Sequence, residues 1–218
     1  MAMPVVGSRF CLPHEAALTV TRRAAIDPNG GFTVTDSAGA VVLRSEIPLL
    51  LRRYTRRVIV DAAGVPIVSM KRKSLLAEAN FKYPYQLFRR RYTWEVFRGN
   101  SEDASDLLFT VRRTTYYPKP KLEVDVFLAS NTSQNACDFR VRCSYLRKSC
   151  TIYLGGSNTV IAQMSRTIGL SDWVFGASKF RVTVFPHVDY VFVMVIAMIL
   201  DEIAREIRSR AATFHASS

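Results

Sequence analysis

Two triplets of consecutive cations are the residues of this sequence best suited to contact an anionic partner. The triplets consist of Lys71, Arg72, Lys73, Arg89, Arg90 and Arg91. The segment that joins them is rich in phenylalanine and tyrosine. Guanidinium groups bind phosphate oxygens through paired hydrogen bonds, and aromatic rings favour the interfacial region of a membrane. The pattern therefore predicts binding of anionic phospholipid headgroups. The alternative interpretation is a solvated strand face followed by a basic loop.

Charge is concentrated around these triplets. The chain has 218 residues and a formal net charge of +12. Residues 52–98 contain 12 lysines and arginines and three acidic residues, a net charge of +9. Each cation near an anionic leaflet contributes about 1 kcal/mol to membrane binding, so six could tether a protein reversibly. The same charge would give salt-sensitive binding to nucleic acid. A nucleic-acid-binding transcriptional regulator is thus the second hypothesis, although no helix-turn-helix, zinc-finger or RNA-binding signature supports it.

Catalytic chemistry has little support in the sequence. The three histidines, His14, His187 and His215, are far apart, and no nucleophile elbow, zinc-protease helix or phosphate-binding loop appears. Glu123 and Asp125 are two residues apart, which places them on one face of a strand, where solvated carboxylates are common. We therefore predict a protein that is not an enzyme and has no catalytic residues, no metal site and no cofactor.

Cysteine usage and the first residues bear on the compartment. The four cysteines, at positions 11, 137, 143 and 150, include no CxxC pair, so we expect reduced thiols. The first 18 residues lack the apolar run of a signal peptide, and neither a Met-Gly start nor a prenylation box is present. We expect a cytoplasmic protein, peripheral to the plasma membrane or nuclear, whose protein partners are unknown.

One apolar segment near the C-terminus sets the architecture. Residues 189–203 read DYVFVMVIAMILDEI, in which the uncharged stretch Tyr190–Leu200 is only 11 residues long. A transmembrane helix needs about 20 apolar residues, so this stretch is too short to span a bilayer. A helix that is apolar on every side must then be surrounded by protein. We predict a buried helix over Tyr190–Ile207, with Asp189 as its N-cap and no transmembrane span.

The rest of the chain has the pattern of many short strands. About ten to twelve segments alternate apolar and polar residues, and Asp-x-x-Gly turns at Asp36–Gly39 and Asp61–Gly64 predict hairpins. Closure into a barrel removes exposed sheet edges, and about a dozen strands leave room for a helix inside. The predicted fold is mainly β: a closed antiparallel β-barrel of about twelve strands around a central hydrophobic C-terminal α-helix.

Several stretches, in order along nearly the whole chain, resemble the LURP-one-related family of plant proteins. They are FCLP (10–13), FTVTDSAG (32–39), RVIVDAAGVPIVSMKRK (57–73), WEVFRG (94–99), LLFTVRR (107–113), DFRVRCS (138–144), SCTIYLG (149–155), VIAQMSR (160–166) and FRVTVFPHVDYVFVMVIAMILDEI (180–203). The resemblance implies a tubby-like twelve-stranded barrel around a central helix. It also implies distant kinship to the tubby C-terminal domain, which is regarded as phosphoinositide-binding, and to the phospholipid scramblases. No settled biochemical activity comes with the family, and some members are linked to plant pathogen defence.

The domain organisation follows from the same resemblance. We predict a single LURP-one-related, tubby-like domain over residues 1–218. It departs from the family by an insertion of basic and aromatic residues at about 74–93, about a dozen residues longer than expected. The insertion contains Arg89–Arg91, so it is the segment most able to distinguish this protein from its relatives.

Overall fold

A computed structural model describes residues 3–22, 31–46, 56–73, 93–114, 121–144, 149–167 and 178–216. Within these ranges the fold consists of twelve strands and one long helix. The strands are β1 (Ala16–Arg22), β2 (Phe32–Thr35), β3 (Val41–Glu46), β4 (Arg56–Asp61), β5 (Pro66–Arg72), β6 (Thr93–Arg98), β7 (Leu107–Arg113), β8 (Lys121–Leu128), β9 (Phe139–Ser144), β10 (Ser149–Leu154), β11 (Val160–Thr167) and β12 (Ser178–Val184), and the helix is α1 (Tyr190–Ala216). Single 3-10 turns lie at Ser8–Phe10 and Ala104–Asp106.

The strands form a closed antiparallel barrel in chain order. Each strand pairs with the next, and β12 returns to pair with β1, with Ala16 opposite Val184. Strand side chains alternate between the two faces of a sheet, so one set fills the barrel and the other faces outward. The predicted barrel of about twelve strands is confirmed. Closure leaves no unpaired edge.

Helix α1 occupies the interior of this barrel. Every side chain from Val191 to Ile199 is at most 2% exposed, which a helix packed on one side only could not achieve. The Phe192 ring packs against the rings of Phe109 and Phe139, with centroid separations of 5.1 and 4.7 Å. The enclosed helix is therefore confirmed. Among the described residues, no helix is long and apolar enough to cross a membrane.

The helix is longer than predicted. It continues beyond Ile207 to Ala216. The predicted boundary at Ile207 followed the loss of apolar residues, but the following RSRAATFHA contains no glycine or proline to stop a helix.

Asp189 marks one end of the barrel, and Asp201 marks the other. The Asp189 end carries the short hairpin turns, including those of Asp36 and Asp61, whose carboxylates each accept two backbone N–H bonds. Both predicted Asp-x-x-Gly hairpins are thus confirmed. The described ranges are separated by internal gaps. The strands that flank each of these gaps have their adjoining ends at the Asp201 end.

Asp189 ties the N-terminal segment to the start of the helix. Its Oδ1 accepts the N–H of Phe192 at 3.1 Å, the helix-capping bond that the sequence predicts. Its Oδ2 accepts the N–H groups of Val5, Val6 and Gly7 at 3.2, 2.8 and 3.0 Å. One fully buried carboxylate therefore closes this end of the barrel by holding two segments that are far apart in sequence.

The cysteines do not all match the prediction. Cys143 and Cys150 face each other on the paired strands β9 and β10 and form a disulfide. The expectation of reduced thiols is wrong for this pair, because hairpin register rather than a CxxC spacing brings the two sulfurs together. Cys11 and Cys137 are free thiols.

Candidate anion-binding sites

The predicted basic triplet begins at the end of β5. In this strand Val68 and Met70 face the core, so alternation places Arg72 on the inner face and Lys71 and Lys73 on the outer face. The first triplet is therefore divided between the two faces of the sheet. The second triplet, Arg89–Arg91, lies outside the described residues, and so does most of the insertion predicted at 74–93.

Both lysines of the first triplet have acidic partners. Lys71 Nζ lies 3.1 Å from Glu102 Oε2 and 4.8 Å from the centre of the Phe97 ring. Lys73 Nζ lies 3.3 Å from Glu95 Oε1. These exposed or half-exposed pairs are weak, and a competing anion could replace the carboxylate. Headgroup binding by this triplet stays a prediction.

Arginines are frequent at the inner face of the Asp201 end. Five strands place an arginine at an inward position near that end: Arg22, Arg57, Arg72, Arg113 and Arg166. Each follows or precedes core residues at the two-residue spacing of a strand. The sequence alone did not single out this set, because its members are spread over 145 residues; strand alternation at each strand end is the only local signal.

Two of these arginines hold the helix. Arg22 Nη1 lies 2.9 Å from Asp201 Oδ2 and 3.4 Å from Glu202 Oε1, and Arg57 Nη2 lies 2.7 Å from Glu202 Oε1. Both guanidinium groups also lie over the ring of Phe32, at 5.1 and 5.3 Å. Burial lowers the pKa of Arg57, and the nearby charge of Glu202 offsets only part of this shift. The cluster thus fixes α1 where its polar half begins.

Residues considered for catalysis have structural partners. Asp125 accepts a bond from Arg140 at 2.9 Å, and Glu123 lies 3.5 Å from Arg142. The backbone of His187 has a positive φ of 65° and bonds to Met3 and Leu12. Within the described ranges, no group of three or more His, Cys, Asp or Glu side chains is arranged to hold a metal ion.

The Asp189 end carries a cleft that the sequence did not predict. It has a volume of about 360 Å³, and its lining includes Arg9, Phe10, Ile67 and Arg98. Arg98 Nη1 donates to the Val6 carbonyl at 3.1 Å, and the Arg9 guanidinium lies 4.6 Å from the centre of the Phe10 ring. The two arginines are 89 positions apart. Arg9 directly precedes FCLP and Arg98 lies within WEVFRG, two stretches that carry the family resemblance, but nothing local indicates that both line one cleft.

Comparison with known proteins gives consistent results over almost the full length. Residues 16–201 match the family described as LURP-one-related. The chain is 34% identical to Protein LURP-one-related 15 of Arabidopsis thaliana, over 94% of this chain and 88% of that protein. It is also 34% identical to Protein LURP-one-related 10 of the same plant, over 94% and 98% of the two chains. An X-ray structure of a protein from Arabidopsis thaliana is similar with a TM-score of 0.67 and 32% identity, covering 92% of this chain and 98% of that one.

Proposed function

The chain belongs to the LURP-one-related family, and we propose that it is a non-enzymatic, tubby-like module that binds anionic phospholipid headgroups, phosphoinositides among them. The binding surface is the Asp201 end of the barrel, where the basic segment 71–91 begins. In this role the protein is peripheral to the cytoplasmic face of a membrane and acts in signalling, for which plant defence is one setting.

The position of the basic segment is the observation that carries this proposal. β5 ends at Arg72 and β6 begins at Thr93, and both strand termini lie at the Asp201 end. The first triplet therefore lies near this end, and the two strands that flank the segment carrying the second triplet both reach it. Residues 52–98 hold three-quarters of the net charge. A flat anionic surface interacts most strongly with cations gathered at one end.

The filled interior of the barrel supports a binding role over catalysis. Side chains of α1 occupy the space that an internal substrate pocket would need. The ligand must therefore be bound on the outer surface or at an end of the barrel. A headgroup at the Asp201 end would meet lysines whose present partners, Glu95 and Glu102, are carboxylates on the surface. Exchange of one anion for another is a simple route to binding and release.

Two triple variants test the proposal. Lys71, Arg72 and Lys73 are changed to Ala in one, and Arg89, Arg90 and Arg91 in the other. A matched control changes three cations elsewhere, Arg44, Arg142 and Arg181, all of them exposed on the outer faces of β3, β9 and β12. All three variants lose the same charge, so a general loss of attraction affects them equally. Circular dichroism confirms the fold of each.

Flotation with phosphoinositide-containing vesicles gives the readout. Three cations at about 1 kcal/mol each correspond to roughly a hundredfold in affinity. We expect about this loss for the Arg89–Arg91 variant and a smaller one for the Lys71–Lys73 variant, because its lysines already have partners. The control should change little. Equal losses in all three variants would contradict a localised site, and preferential binding to duplex DNA would favour the nucleic-acid alternative.

A further inference from the structure

The cleft at the Asp189 end has the charge of an anion site. Its lining includes Arg9 and Arg98 and, within the part of the chain that the structure describes, no acidic residue. Among the described residues neither arginine forms an ion pair, and both are exposed. Two guanidinium groups can offer paired N–H donors to the oxygens of one phosphate group.

Arg98 is held in position but keeps donors to spare. One of its Nη1 donors is used by the carbonyl of Val6, at 3.1 Å. The strand end that carries Arg98 is fixed by its neighbour Gly99, whose N–H donates to the Ile67 carbonyl at 2.8 Å. A guanidinium has five N–H donors, so the remaining ones can face a ligand.

The cleft also has an apolar wall. Val6, Phe10 and Ile67 are buried core residues, with at most 7% of their surface exposed, and each also lines the cleft. A volume of about 360 Å³ lies at the small end of the range for ligand pockets. The combination suits a small molecule with one anionic group and one apolar body rather than an inorganic ion alone.

Asp189 determines which groups are left to bind the ligand. The N–H groups of Val5, Val6 and Gly7 all donate to its carboxylate, so these amides are already used. The charged donors that line the cleft are therefore the arginine side chains, and Ser8 adds a hydroxyl. The same bonds fix the backbone that carries Arg9, which reduces the ordering that binding requires.

We propose that this cleft binds a phosphate monoester with a small apolar or aromatic body. Arg9 and Arg98 contact the phosphate, and Phe10 and Ile67 contact the apolar part. The site lies at the Asp189 end, whereas the ends of β5 and β6 that flank the basic segment lie at the Asp201 end, so it does not depend on the function proposed above.

Titration calorimetry with phenyl phosphate, and separately with inorganic phosphate, tests the proposal on the full chain. We expect saturable binding of one phenyl phosphate, tighter than that of inorganic phosphate because of the apolar wall. Arg98→Gln and Arg9→Gln should each weaken binding roughly tenfold or more, the usual range for a charge-assisted hydrogen bond. Arg181→Gln, an equal charge change on the outer face of β12, should leave the affinity unchanged.

A second arm separates a soluble ligand from a lipid. Vesicles with phosphatidic acid present the same phosphate monoester on a membrane. If only these vesicles bind, and Arg9→Gln weakens that binding, the monoester site stands and its source is a lipid. Absence of saturable binding in both arms, or binding that survives both arginine substitutions, would overturn the proposal. The Lys71–Lys73 and Arg89–Arg91 variants should keep phenyl phosphate affinity, whatever they do to phosphoinositide binding.

Discussion

Replacement of Asp189 by alanine should destabilise the Asp189 end of the barrel more than an ordinary loss of a helix cap. The carboxylate is fully buried and accepts four backbone N–H bonds, from Val5, Val6, Gly7 and Phe192. Loss of a side-chain cap alone costs about 1 kcal/mol. Here two of the four donors, those of Val6 and Phe192, are also buried, and each unsatisfied buried N–H costs about 1–3 kcal/mol.

The expected loss for Asp189→Ala is therefore about 4 kcal/mol in the free energy of unfolding. The half-buried N–H groups of Val5 and Gly7 add less, because water can reach them. Asp189→Asn is the matched control: it keeps the size of the side chain and one carbonyl oxygen, so it can satisfy either the helix cap or the N-terminal segment. We expect it to lose about half as much.

Urea unfolding followed by circular dichroism measures the free energy, and hydrogen exchange locates the change. In Asp189→Ala the amides of Val5, Val6 and Gly7 should exchange faster, while those of the barrel strands keep their relative protection. A loss below about 1 kcal/mol, with these three amides still protected, would refute the view that one carboxylate holds both segments.

Asp201→Ala should lower the free energy of unfolding by about 3–5 kcal/mol, because it removes the closest partner of the buried Arg22. The double change Arg22→Leu and Asp201→Leu should restore most of this loss. An unfolding curve of Asp201→Ala that matches that of the unmodified protein would contradict a buried ion pair. Reduction of the disulfide between Cys143 and Cys150, seven positions apart, should cost about 2 kcal/mol and lower Tm by roughly 4–8 °C. An identical Tm with and without reductant would rule that disulfide out. Burial, and secondarily a nearby carboxylate, raises the pKa of the Cys11 thiol, so folding is less favourable as pH rises through that pKa. Its alkylation by iodoacetamide should reach half-maximal rate at a pH above the value of about 8.5 for a free thiol, and a profile equal to that of the unfolded chain would show that burial has no such effect.

Local signals account for the parts of the fold that the sequence predicted. The apolar run Tyr190–Leu200 has no polar face at any spacing, and that pattern alone requires an enclosed helix. The turns at Asp36 and Asp61 were predictable because an Asp-x-x-Gly turn is completed by its own side chain and backbone. Each of these features depends on residues within a few positions of one another.

Features that depend on barrel register could not be predicted in the same way. Arg22 and Asp201 are 179 positions apart. They come together only because the barrel closes by pairing β12 with β1, the strand that carries Arg22. The pairing of Cys143 with Cys150 depends on which residues of a hairpin face inward. The net charge of residues 52–98 does not reveal that Lys71 has a partner, which is Glu102 from the loop after β6.

The arginine cleft illustrates the same limit at a candidate site. Arg9 belongs to the N-terminal segment and Arg98 ends β6. Both line one cleft because Asp189 holds Val6 at the helix start, where Arg98 donates to the Val6 carbonyl. The composition of the sequence predicts an anionic partner. It could not indicate that two arginines distant in sequence line one cleft at the Asp189 end.

The measurement that tests the proposed function most directly is flotation of the purified protein with vesicles across a salt series. One set of vesicles contains phosphoinositides, and a matched set has the same total charge from phosphatidylserine. We predict binding that favours the phosphoinositide vesicles and survives about 0.15 M salt, because a specific headgroup site is screened less than diffuse attraction. Equal binding to both sets that vanishes with salt, or no binding at all, would contradict the headgroup-binding role.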